Sequence, residues 1–188
     1  MRTLPNRIHV TGGSGSGTTT LGRLIAERHG HRHVDTDDIF WEATDPPYTT
    51  IRSHDERRRL LAEVLAAPGA WVISGAIGRW GYDLALEFEL VIWLTPPAEA
   101  RLARLSAREH ADYGSRIEPG GDMHEGYEEF MRWAAAYDTA DESQRSFARH
   151  ERWTAELGCP VIRVDGIHPV EETLRIVETR WAELSRTR

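Results

Sequence analysis

The run Thr11-Gly12-Gly13-Ser14-Gly15-Ser16-Gly17-Thr18-Thr19-Thr20 constrains this chain more than any other feature. Before it, Arg7 to Thr11 alternates and is rich in β-branched residues, the pattern of a strand. After it, Leu21, Leu24 and Ile25 recur at helical spacing through His29. The segment therefore reads as strand, glycine turn, helix. Glycines reach backbone conformations closed to other residues, so successive N–H groups can point into one anion-binding hollow. The start of the following helix adds partial positive charge at the same place. The phosphate-loop pattern asks for Gly, four residues, Gly, Lys, then Ser or Thr. Gly12, Gly17 and Thr19 satisfy it, and Thr18 stands where lysine is expected. Gly12, Gly13, Ser14, Gly15, Ser16, Gly17, Thr18, Thr19 and Thr20 are thus the expected cradle for a nucleoside triphosphate, with Thr19 at the magnesium-ligand position. A dinucleotide fingerprint, G-x-G-x-x-G, is the rival, and Asp35 sits near where it wants its ribose-binding acid. Its register fails, because the final position falls on Thr18 or Thr20. A plain flexible turn is the third reading, and the flanking strand and helix weigh against it.

The rest of the chain alternates between the same two kinds of element. Strands are expected at 32–34 (ending at Asp35), 71–73, 90–94 and 161–164. Helices are expected at 51–67, from Pro96-Pro97 to about Glu109, at 123–137, 141–157 and 170–184. The run 90–94 (LVIWL) is apolar throughout, as in a strand buried on both faces. This order implies an α/β, three-layer P-loop NTPase fold: a mainly parallel five-stranded sheet with helices on both faces. Residues 1–188 read as one domain, and 110–137, beginning with a polar loop at 110–122, is the one candidate insertion.

Charge and composition narrow the partners. The net charge is −7, which argues against a protein that mainly grips nucleic-acid phosphates. All the cationic residues other than histidine are arginine. Cys159 is the only cysteine, so neither an internal disulfide nor a four-thiolate zinc site can form within the chain. The first residues lack the apolar core of a signal peptide, and no stretch is long and apolar enough to span a membrane. The expected location is the cytoplasm. His29, His31 and His33 lack an evident fourth ligand for a metal. The segment from Arg145 to Trp153 reads as an amphipathic helix with a solvated, mixed-charge face.

Four segments together carry a resemblance: GGSGSGTTTLG, HVDTDDIFW, SGAIGRWG, and RLARLSARE followed by RIEPGGDM. They resemble small adenylate-kinase-like P-loop kinases, relatives of the nucleoside monophosphate and shikimate kinases, over nearly the whole chain. Thr18 departs from that pattern. The resemblance implies that Asp35 assists Mg2+ with Thr19, and that Asp37 orients or deprotonates the acceptor hydroxyl. It implies a lid whose arginines reach the transferred phosphate. Arg108 and Arg116 are then the candidates to replace the lysine charge, with Arg104 second. It also implies that the loop from Asp165 to Pro169 packs near adenine.

Several of these residues keep a second reading. Asp37 and Asp38 also suit a helix N-cap. Arg101, Arg104 and Arg108 share a helical face and also read as a solvated stripe paired with Glu99 or Glu109. Arg79, in the turn from Gly75 to Gly81 after a strand end, suits an acceptor phosphate or carboxylate, or is a surface charge. Arg52 and Arg57 are candidates for an acceptor's anionic group, although Asp55 and Glu56 beside them suit a salted surface. Trp41 and Trp80 flank the acceptor region and could stack on a flat substrate.

The expected activity is phosphotransfer from ATP, with Mg2+, to a nucleoside monophosphate or another small hydroxylated metabolite. The alternative is a nucleotide-binding regulatory protein or pseudokinase that lacks efficient transfer because Thr18 brings no charge. A kinase acting on nucleic-acid ends is a third reading, disfavoured by the acidic balance.

Overall fold

A computed structural model describes residues 4–186 and, within them, every side chain except those of 84–86. Five strands alternate with helices: β1 (Arg7–Gly12), α1 (Thr18–His29), β2 (Arg32–Asp35), α2 (Thr36–Phe40), α3 (His54–Ala66), β3 (Trp71–Ser74), β4 (Leu90–Leu94), α4 (Ala98–Tyr113), α5 (His124–Ala135), α6 (Phe147–Ala155), β5 (Val161–Val164) and α7 (Val170–Leu184). The strands form one sheet in the order β2-β3-β1-β4-β5. Every pairing is parallel, so all five strands end at the same edge. That edge is where open α/β sheets place ligands.

Side chains alternate across the strands and sort the core into two layers. Ile8 and Val10 of β1 pack with Leu21 and Ile25 of α1 and with Leu174 and Val177 of α7. Trp71 and Ile73 of β3 and Val91 of β4 pack on the opposite face with Leu61 and Leu65 of α3 and with Trp153 of α6. β4 is buried along its whole length, as its unbroken apolar run requires. Truncating one of these buried aliphatic side chains to alanine costs about 2–5 kcal/mol.

Helix ends differ from the sequence expectation in informative ways. α3 begins at His54, not at Ile51, because Ser53 caps it by accepting from the Glu56 N–H at 3.2 Å. Ile51 instead makes an isolated antiparallel bridge with Trp41. The loop expected from 110 is helical as far as Tyr113, where Gly114 turns the backbone to φ 51°. A short 3₁₀ turn, Gly114–Arg116, and α5 follow, so the expected lid is a folded helical segment. α6 starts at Phe147 rather than Asp141, since Ser146 is its cap. Among the described residues, no helix is long and apolar enough to cross a membrane.

Candidate functional site

The glycine loop closes between β1 and α1 at the carboxyl edge of the sheet. The Ser16 N–H donates to the Gly13 carbonyl at 3.1 Å, and Gly17 ends the loop at φ 88°. Gly15 sits at φ 79°, and a Cβ there would lie 2.2 Å from the Arg101 carbonyl oxygen. That position needs glycine on both counts. No acidic residue occupies the first turn of α1, so its N-terminal partial charge is not cancelled locally. Thr18 is the first residue of this helix and partly exposed.

Asp35 joins this loop to the next strand. Its Oδ2 accepts from Thr19 Oγ1 at 2.7 Å, and its Oδ1 accepts from the Asp37 N–H at 3.1 Å. Asp35 is therefore the N-cap of α2, and neither Asp37 nor Asp38 has that task. Freed of it, Asp37 presents its carboxylate at the solvent side of the site. Neighbouring atoms still desolvate it, and Asp35 repels its charge, so its pKa is raised above 3.8 while Arg145 and Arg108 oppose the shift. Thr19 Oγ and the Asp35 carboxylate are hard oxygen donors within one coordination sphere of each other. Mg2+ typically takes one or two such protein ligands and fills its octahedron with phosphate oxygens and water. The pair fits that ion.

The expected arginines fall into three groups. Arg116, on the 3₁₀ turn after α4, pairs with Asp122 (3.1 and 2.8 Å) and reaches Asp45 in the loop after α2 at 3.0 Å. Arg108 is held by Glu109 at 2.7 Å and lies close enough to Asp37 to affect its titration. Arg104 turns the other way, donating to the Gly166 and Ile167 carbonyls at 2.9 and 3.3 Å. On the acceptor side, Arg57 lies over the rings of Phe40 (4.7 Å) and Trp80 (5.6 Å). Arg52 contacts Glu56 at 3.4 Å, and its buried Nε lacks a partner. Arg79 is exposed and bonds the Glu142 carbonyl at 3.4 Å. Trp41 makes an edge contact with Tyr48, and Trp80 is buried against Phe40. The three histidines face separate partners: His29 meets Glu178, His31 the Pro5 carbonyl, and His33 the Ser74 hydroxyl.

A cleft of about 320 Å³ opens on the far side of the loop. Ser16, Gly17, Thr20 and Leu21 form one wall, and Gly166, His168, Pro169 and Val170 form the other, with Arg104 at its rim. It is continuous with the glycine loop and suits a flat base whose phosphates run into the loop.

Two residues central to this geometry escape a reading of periodicity. Arg101 is fully buried; it donates to the Ser14 carbonyl at 3.1 Å and pairs with Asp138, which pins the loop from behind. Arg145, expected on a solvated helix, lies outside α6 and donates to the Gly12 carbonyl. Among the described residues these two make the arginine hydrogen bonds to the loop. Further along the same segment the helix is amphipathic as expected, with Ala148, Glu151 and Arg152 exposed and His150 and Trp153 buried. His150 accepts or donates at both nitrogens, to Tyr137 Oη at 2.7 Å and Thr11 Oγ1 at 3.3 Å, linking α6 to the root of the loop. The signal for Arg145 is the cap: Ser146 starts a helix, which leaves residue 145 in a loop at the ligand-binding edge.

Comparison with known proteins agrees with this fold. Residues 8–131 match the AAA domain family. The YqaC protein of Bacillus subtilis (strain 168) is 40% identical over 169 residues, covering 90% of this chain and 93% of that one. A shikimate kinase of Gloeobacter violaceus is 29% identical over 188 residues, covering 94% of each. Among solved structures, a gluconokinase from Sinorhizobium meliloti 1021 superposes with a TM-score of 0.56 at 19% identity, covering 99% of this chain and 97% of that one. At that identity the likeness speaks for the fold.

Proposed function

The chain belongs to the AAA domain family, and from that premise we propose that it is an ATP-dependent small-molecule kinase. In this reading it moves the γ-phosphate of ATP to the hydroxyl of a small metabolite or to a nucleoside monophosphate, with residues 110–137 as the lid of a single domain. One observation carries the reading. Asp37 is exposed at the carboxyl edge, its N–H bonded to the same Asp35 carboxylate that holds Thr19, and among the described residues its own carboxylate has no hydrogen-bond or ion-pair partner.

Each residue then has a task. Backbone N–H groups of the loop hold the β- and γ-phosphates, and the base lies in the cleft beside Gly166 and Pro169. Thr19 and Asp35 hold Mg2+, which offsets phosphate charge when bound. Asp37 takes the proton of the acceptor hydroxyl as its oxygen bonds to the γ-phosphorus and the bond to the β-phosphate oxygen breaks. Its raised pKa makes it a better proton acceptor than an ordinary aspartate. Arg116, bridging the lid to Asp45, holds the lid over the acceptor side and excludes water. Arg52, Arg57 and Arg79 surround the acceptor's entry. The shikimate kinase among its relatives supports a small hydroxylated acid as acceptor, and the cytidylate kinases that also match it support a nucleoside monophosphate.

The test is acceptor-dependent ADP release. The protein, MgATP and a panel of hydroxylated acids, sugars and nucleoside monophosphates are incubated and ADP is followed. Release stimulated by one class supports the kinase and names the acceptor. Tight ATP binding with no stimulated release across the panel supports instead a nucleotide-binding regulator, the reading that the neutral Thr18 favours.

A further inference from the structure

The geometry points to Arg145 as the cation that replaces the missing loop lysine and grips the terminal phosphate of a bound nucleoside triphosphate. This inference rests on the nucleotide site of the kinase reading.

The chain has no lysine at all, and the side chain at the lysine position, Thr18, is neutral. A terminal phosphate nevertheless needs a fixed positive charge, because phosphoryl transfer is catalysed chiefly by positioning and charge stabilisation. Of the arginines nearest the loop and α4, Arg104 is engaged by the Gly166 and Ile167 carbonyls and three others are already neutralised. Arg101 pairs with Asp138, Arg108 with Glu109, and Arg116 with both Asp122 and Asp45. Arg145 differs. Among the described residues it has no ion-pair partner within salt-bridge distance, and its buried Nε has no hydrogen-bond partner. One of its NH groups donates to the carbonyl of Gly12, the first residue of the loop. Arg145 also lines a small cavity of about 50 Å³ with Ala76, Gly78 and Tyr82, so it touches both the glycine loop and the turn that follows β3. A phosphate held by the loop and transferred toward that turn comes within its reach.

The guanidinium is also held in place. Ser146, fully buried, caps α6 and fixes the backbone of its neighbour, and the Arg145 guanidinium lies 5.8 Å from the ring centre of Trp133. A desolvated guanidinium with an idle donor is unfavourable unless an anion completes it. Arginine has five N–H donors in a planar fork, which matches two oxygens of a phosphate. With one donor on Gly12, enough remain for a bidentate grip.

The experiment is calorimetry with two magnesium-bound probes, ADP and the non-hydrolysable β,γ-imido analogue of ATP. The unsubstituted protein should prefer the triphosphate analogue. Arg145→Gln should lose that preference by about tenfold or more while ADP affinity changes little. Arg145→Lys should keep part of it, and Thr18→Lys placed in the Arg145→Gln background should restore it. A folded Arg145→Gln protein with the original preference overturns the inference, including the case where only acceptor binding weakens. If Arg145→Gln does not fold, the guanidinium N–H resonances of the unsubstituted protein decide. The Arg145 signal, assigned with Arg145→Lys, must move with the triphosphate analogue and much less with ADP; equal or absent movement overturns the inference. A parent protein that binds neither probe refutes the nucleotide site itself, a failure distinct from that of Arg145.

Discussion

The Thr19 hydroxyl donates to Asp35 Oδ2 at 2.7 Å, which ties the first turn of α1 to the end of β2. β1 and β2 are not neighbours; β3 runs between them. α1 must therefore lie low across β3 for the contact to form. Gly22 permits this, since a Cβ there would lie 2.9 Å from His33 Nε2 and 3.0 Å from Ser74 Cβ. One helix thereby brings the glycine loop and the Asp35 carboxylate to a single edge.

Gly15→Ala should abolish nucleotide binding. An alanine at φ 79° costs about 1–2 kcal/mol, and its Cβ would also collide with the Arg101 carbonyl. Thermal melting with and without MgATP checks this: the variant should show no ligand-induced rise in Tm. An undiminished rise would mean the loop is not the phosphate site.

Asp37→Asn should reduce acceptor-dependent turnover by about 10²–10⁴-fold, the usual contribution of a general base. ATP affinity should hold. The variant also has a stability signature. The folded-state pKa of Asp37 is raised, so ionising it weakens the fold as pH climbs above 3.8. Asparagine removes that penalty. Its Tm should exceed the parent's at pH 7 and match it below the ordinary aspartate pKa.

Three histidines should make the protein acid-sensitive. Burial lowers the pKa of His9 to about 3, that of His150 well below 6.5, and that of His33 below 6.5. The unfolded chain takes up protons as pH falls through about 6.5, whereas the folded chain does not. Stability is thus complete above that pH and drains away as pH falls toward 3, by an amount on the order of a few kcal/mol. Tm measured from pH 8 to 4 should fall, and His150→Gln should flatten the fall. A flat parent profile would contradict the buried, neutral state of these rings.

Arg116→Ala should leave stability nearly unchanged, because its pairs with Asp45 and Asp122 are at the surface. Its effect should be on turnover, through a lid less well held. Steady-state kinetics at low and high salt check this: the parent should lose activity with salt and the variant should be nearly indifferent.

Much of the fold was legible because local chemistry and tertiary packing agree. The β-branched β1, the glycines and the periodic α1 announce themselves, and LVIWL could only be an interior strand. The order of the strands was not legible, since register depends on contacts between distant segments. α2 was hidden because a five-residue helix has too few turns for periodicity, and Asp35 serves it as cap while also bonding Thr19. On the site, the loop could be read from spacing, and Asp35 and Asp37 from the family resemblance. Arg145 could not, because its contact with Gly12 spans 133 residues and its own neighbourhood is an unremarkable polar turn.

The central claim is that this loop binds nucleoside triphosphate although no lysine completes it. Titration of the unsubstituted protein with MgATP in a calorimeter tests it most directly. A saturable, one-to-one heat that disappears in Gly15→Ala is the expected result. No heat with ATP or GTP under conditions where the protein is folded would contradict the claim.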